Sequence, residues 1–123
     1  MAVRSLHQRL SRAQRLRKRS AFLSVQERGR RCAGRYLVVY AMTRAEPAPS
    51  RLSRLGITVS RKVGEAVVRN RVKRWLRESY RQCADKEPEM RDVVVIAKPA
   101  AATSTYGAID AELTRLLRTF KEP

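Results

Sequence analysis

The stretch from Glu65 to Cys83 constrains this chain more than any other. Placed on a helix at about 100° per residue, Val68, Val72, Trp75, Leu76, Ser79 and Cys83 fall on one side, with Tyr80 at its edge. Arg69, Lys73, Arg77 and Arg81 recur at every fourth residue on another side and form a winding basic ridge. Asn70 and Arg74 lie next to that ridge, and Arg71 lies farther round, still off the apolar side. Like charges at this spacing repel one another. Within residues 68–83, Arg74–Glu78 is the only opposite-sign pair at i,i+4. A sequence that gives up local helix stability in this way is explained by a polyanion as the usual neighbour. Guanidinium groups supply planar, bidentate donors for phosphate oxygens. Asn70 both donates and accepts, so it can address a base edge or a 2′-hydroxyl. Glu65 sits favourably near the positive end of the helix dipole.

The rest of the composition agrees with that partner. The chain has 123 residues, with 28 Lys and Arg against 11 Asp and Glu, a net charge of +17. Residues 1–81 hold 22 basic and 4 acidic residues, whereas residues 82–123 hold 6 basic and 7 acidic. The polyanion is therefore expected on the first two thirds, and the last third reads as scaffold. Cys32 and Cys83 show no metal-ligand spacing and read as small buried hydrophobes. The single histidine, His7, cannot build a zinc site. No segment approaches the ~18 apolar residues of a membrane span, and the basic N-terminus lacks an apolar signal core. These features predict a cytoplasmic chain with no membrane partner and no small-molecule substrate. A protein nuclease needs clustered carboxylates for metal ions or a histidine acid–base pair. Here the acidic residues are scattered, so no catalytic residue and no protein-held metal site is expected.

Residues 1–16 are Arg-rich and are expected to form a flexible basic tail, with residues 17–123 a single RNA-binding domain. A short helix follows, with Ser20 a candidate cap and Gly29 a stop. Arg35 to Met42 is a continuous apolar run that reads as a strand, and Cys32-Ala33 suggests a short strand before it. Pro47 and Pro49 mark a loop, and Leu55, Ile57 and Val59 alternate with smaller residues in a second strand over about 52–60. Beyond the basic helix, Pro88 marks a linker, Val93 to Ile96 a short buried strand, and Pro99 its end. A last helix over about 104–120 carries Tyr106, Ile109, Leu113, Leu116, Leu117 and Phe120 on one stripe, with Ser104 as its cap. The predicted fold is α+β, an α/β two-layer sandwich with about four strands and three helices in αβββαβα order.

Composition alone also fits a ribosomal protein or a general RNA chaperone. A DNA-binding regulator is less well supported, because there is no second helix at helix-turn-helix spacing and no dimerisation segment.

The segment from Gly56 through Arg81, with Ser60-Arg61-Lys62-Val63-Gly64 followed by Ala66-Val67-Val68-Arg69-Asn70-Arg71, strongly resembles the signature of the bacterial ribonuclease P protein subunit family. Arg17 through Phe22, Gly29 through Tyr40 and Asp92 through Pro99 extend the resemblance over most of the chain. It implies assistance to a catalytic ribonuclease P RNA in Mg²⁺-dependent removal of the 5′ leader from precursor tRNA, with catalysis in the RNA. It places Arg69, Asn70 and Arg71, with Lys73, Arg74 and Arg77, against that RNA. It places the leader in a cleft between the first helix and the sheet, near Phe22, Tyr40, Arg61, Lys62, Arg17 and Lys18. Phe22 and Tyr40 would stack on unpaired bases, which tolerates any sequence. The resemblance also implies a left-handed βαβ crossover through the basic helix. Gln26 stands where many members have a second aromatic, Glu65 where a neutral or polar residue is usual, and Trp75 where an aliphatic or basic one is usual.

Overall fold

A computed structural model of the chain describes residues 14–45, 52–83 and 90–120. Its elements run α1 (Arg19–Arg28), β1 (Arg30–Ala33), β2 (Leu37–Thr43), β3 (Arg54–Thr58), α2 (Ala66–Cys83), β4 (Arg91–Ala97) and α3 (Tyr106–Thr119). A short 3-10 helix, Pro99–Thr103, joins β4 to α3. The strands form one four-stranded sheet in the order β1-β2-β4-β3. β1 with β2 and β2 with β4 are antiparallel, while β3 and β4 are parallel. α2 is therefore the crossover between two adjacent parallel strands, as the element order required.

The central strand explains the packing. β4 is apolar at every position from Val93 to Ala97 and is covered on both faces. Val93, Val95 and Ala97 join Leu37, Val39, Ala41 and Leu55 beneath α2 and α3 in the larger core. Val72, Leu76 and Tyr80 come from α2, and Ile109, Leu113, Leu116 and Leu117 from α3. The sheet with α2 and α3 forms the expected pair of packed layers. On the opposite face Val94 packs with Leu16 and Val25, with Ala21, Phe22, Tyr40, Met42 and Ile96 partly buried around them. α1 thus covers only part of that face. Thr58, at the end of β3, remains exposed in the same row as half-buried Val38 and Ile96.

Local chemistry set several ends differently from the sequence expectation. α1 starts at Arg19 behind Lys18, and no side chain caps it, so Ser20 is not its cap. Gly29 does end α1, through its N–H to the Val25 carbonyl at 2.8 Å. A Cβ there would stand 2.4 Å from the Val25 oxygen and 2.8 Å from the Ala41 oxygen, so close backbone approach requires the glycine. Thr105, not Ser104, caps α3, accepting from the Ala108 N–H at 3.1 Å. Ser104 instead closes the 3-10 helix by donating to the Ala101 carbonyl at 2.6 Å. Residues 1–13 of the expected tail, the loop around Pro47 and Pro49, and Pro88 lie outside the described residues. The last residues of that tail are seated on the sheet. Arg15 bridges Leu55 in parallel, the Leu16 N–H donates to the Leu55 carbonyl at 2.9 Å, and the Leu16 side chain is buried.

Candidate nucleic-acid interface

α2 is docked by its apolar side, and this fixes where its cations point. Val72, Leu76 and Tyr80 are fully buried, and the Tyr80 hydroxyl meets Ser53 Oγ at 2.6 Å, pinning the helix beside the start of β3. Trp75 packs partly buried on the core, as its place on the apolar side predicted. Asn70, Arg74 and Arg77 are exposed, and Arg69, Arg71 and Lys73 are half-buried. Arg69 Nε donates to the Gly64 carbonyl at 3.1 Å, clamping the helix start. Arg71 donates to the Ala102 carbonyl at 3.1 Å, and its guanidinium lies 5.4 Å from the Trp75 ring centroid. Both outer arginines of the Arg-Asn-Arg triplet are thus oriented by the protein before any partner arrives. Arg81 departs from the expected ridge. It is buried and ion-paired with Glu78, one turn back. Charge spacing alone had placed it with the exposed cations, but at the helix end the side chain folds back against the core.

The other face of the sheet brings the two aromatic candidates together. Phe22 and Tyr40 belong to one cluster around Val94. The Phe22 ring lies directly on Gly56, where an added Cβ would come within 2.5 Å of Phe22 Cζ. Gly56, Val94 and Tyr40 are register partners across the sheet, so the two rings share one row. The basic candidates adjoin β3. Arg17 and Lys18 follow Leu16 on its outer edge, while exposed Arg61 and Lys62 leave its C-terminal end in a turn closed by the Val63 N–H to the Ser60 carbonyl at 3.0 Å. The arrangement is a half-open apolar floor with cations along one border, suited to a single strand with stacked bases.

Two buried carboxylates, Asp92 and Glu112, hold this frame. Asp92 accepts from Arg44 at 2.6 Å and from Arg54 at 2.8 and 2.7 Å, joining β3, β4 and the residue after β2. The hydrogen bond to Asp92 raises the Arg54 guanidinium above its ordinary value. Glu112 accepts from the N–H groups of Arg35, Tyr36 and Leu37 at 2.8, 2.8 and 2.7 Å, tying α3 to the β1–β2 turn. A signal for Glu112 was present. It stands three residues after Ile109 and four before Leu116, on the apolar stripe. Among the described residues, no group of three His, Cys, Asp or Glu side chains is placed to hold a metal ion.

A small mixed α/β domain that presents a preoriented Arg-Asn-Arg helix on one face and an aromatic, cation-bordered floor on the other belongs to the class of RNA-binding proteins. The family model for ribonuclease P matches residues 10–121. The chain belongs to the ribonuclease P protein family, the accessory protein subunits of a ribonucleoprotein endoribonuclease. It is 46% identical to the ribonuclease P protein component of Desulfovibrio desulfuricans over 111 residues, 89% of this chain and 84% of that protein. Among solved structures, an RNase P protein mutant from Staphylococcus aureus superposes with a TM-score of 0.80 at 35% identity, covering 89% of both chains. The RNase P protein of Thermotoga maritima superposes with a TM-score of 0.74 at 33% identity, covering 85% of this chain and 96% of that one.

Proposed function

We propose that this protein works in tRNA 5′-end maturation by binding two RNAs on opposite faces of its sheet. The observation that carries this reading is the division of chemistry between the faces. α2 offers rigid cations and Asn70, and its one half-buried ring, Trp75, is taken up by the Arg71 guanidinium, which suits the folded backbone of the catalytic RNA. The α1 face offers Phe22 and Tyr40 beside Arg17, Lys18, Arg61 and Lys62, which suits the unpaired 5′ leader of precursor tRNA. Arg69, Asn70, Arg71, Lys73, Arg74 and Arg77 meet the catalytic RNA in this reading. Hydrolysis belongs to that RNA, and Mg²⁺ acts through it. The buried carboxylates of this chain do not fit a protein-held ion, because Asp92 is engaged by two arginines and Glu112 by three backbone amides. The workplace of such an assembly is the cytoplasm, and no described helix is long and apolar enough to cross a membrane.

The test is reconstitution with a bacterial ribonuclease P RNA at low Mg²⁺. The protein should restore cleavage of precursor tRNA and should cleave nothing alone. Lack of stimulation would remove the proposed role, and cleavage without the RNA would place an active site in the protein. Phe22→Ala should narrow the preference of the assembled enzyme for precursor over mature tRNA. An unchanged preference would take Phe22 out of the leader site.

A further inference from the structure

The last third of the chain carries its own cationic feature. Arg115 and Arg118 project from the outer side of α3, and Arg30 reaches them from the start of β1. Together with Thr114 and Thr119 they line an open groove of about 590 Å³, within the range that accepts a small ligand or one nucleotide unit. Among the described residues, Asp110 is the one carboxylate in the lining, and it accepts a 2.6 Å hydrogen bond from Ser79. Three guanidiniums against one carboxylate leave the groove positive. The cations are held in different ways. Arg30 lies 5.8 Å from the Phe120 ring centroid, which fixes its guanidinium. Arg115 is 63% exposed, and its ion pair with Glu112 at 3.9 Å is weak at a solvated surface.

We propose that this groove binds the phosphodiester backbone of the RNA subunit at a second place, apart from the Arg-Asn-Arg helix. The proposal rests on the reading of α2 given above. α2 and α3 pack side by side on one face of the sheet, and the leader floor lies on the other. An RNA lying on α2 has only the width of α3, about 10 Å, to cross before reaching the groove. Precursor leader on the α1 face would have to pass around the edge of the sheet. The ligand chemistry is phosphate, recognised bidentately by arginine.

The experiment is a salt titration of the full chain against the RNA subunit, comparing the unaltered protein with Arg115→Ala/Arg118→Ala. The slope of log affinity against log salt should fall in magnitude by about two, and affinity at about 0.15 M salt should weaken by about tenfold. Precursor preference in the assembled enzyme should not change. An unchanged slope would overturn the proposal. A loss confined to precursor preference would also overturn it, assigning the groove to the leader. Thr114→Glu adds a negative charge to the groove without removing a cation and should weaken binding in the same direction; melting by circular dichroism shows whether each variant is folded. Arg69→Ala serves as the reference for α2. If Arg69→Ala lowers the slope and the groove variants do not, the groove fails alone. If none of them lowers it, the reading of α2 fails with it.

Discussion

At Glu112 a single side chain carries what a turn usually provides for itself. Its carboxylate satisfies three consecutive backbone N–H groups that strand pairing leaves unmet. Glu112→Ala leaves those donors buried without a partner and should destabilise the fold by about 3 kcal/mol, measured by urea denaturation. Glu112→Gln keeps the shape and one acceptor, so it should recover part of that loss; an Ala variant as stable as the parent would contradict this account. Gly56 is the complementary case, where the absence of a side chain matters. Gly56→Ala puts a methyl group into the Phe22 ring, and overpacking of this kind typically costs about 1–3 kcal/mol. The displaced ring should also weaken precursor preference, the outcome expected of Phe22→Ala. Cleavage assays that show normal preference in the Ala variant would separate the ring's position from leader binding. Neither relation was legible in the sequence. Glu112 was visible only as a polar interruption of an apolar stripe, and its partners lie at least 75 residues away. Gly56 read as an ordinary small residue in an alternating strand.

At the scale of elements the sequence was more informative. Strict periodicity located α2 within a residue of its observed start and placed Val72, Leu76 and Ser79 inside. It misjudged Arg81, because a wheel gives direction and not the length or reach of a side chain near a helix end. Short apolar runs located the strands, but β4 runs two residues earlier than its apolar core because Arg91 and Asp92 are polar and still paired. Their burial depends on tertiary partners: Arg44 and Arg54 for Asp92, and the Phe120 carbonyl for Arg91 at 3.0 Å. Asp92→Asn should therefore leave the buried Arg44 side chain and the half-buried Arg54 poorly compensated and lower stability by about 3 kcal/mol. Thermal melting followed by circular dichroism tests this, and a change below about 0.5 kcal/mol, the range of ordinary surface substitutions, would make the triad dispensable. The leader candidates were legible only through resemblance, since nothing in periodicity brings Phe22 to Tyr40.

For the whole molecule, the charge of +17 is the governing quantity. Self-repulsion of this size destabilises the compact state until counter-ions or a polyanion neutralise it. The free protein should melt at a higher temperature as NaCl rises from low to moderate concentration, and the RNA subunit should raise it further. A melting temperature that falls with salt would mean that attractive pairs dominate the surface. The lopsided distribution along the chain suggested that the last third was scaffold alone. That reading covers α3's buried side, but its outer side carries Arg115 and Arg118 into a basic groove with Arg30. Net charge over a segment averages out such a feature, because Asp92 and Glu112 are spent inside the fold while the arginines stay outside.

The strand order carries a consequence for how the chain comes together during synthesis. β4 sits between β2 and β3 and is their shared pairing partner, yet it is made after both and after α2. Until it emerges, β1 and β2 form at most a lone hairpin, which is marginal in water. β3 has only the Arg15 bridge at Leu55 beside it, and the apolar side of α2 has no floor. The cationic helix is then a self-repelling segment without support. Folding is expected as one late, cooperative closure dominated by distant contacts, which is slow for a domain of this size. A nascent chain therefore offers RNA its charge well before it offers a shape, and selective binding begins only once the last-made strand has been inserted.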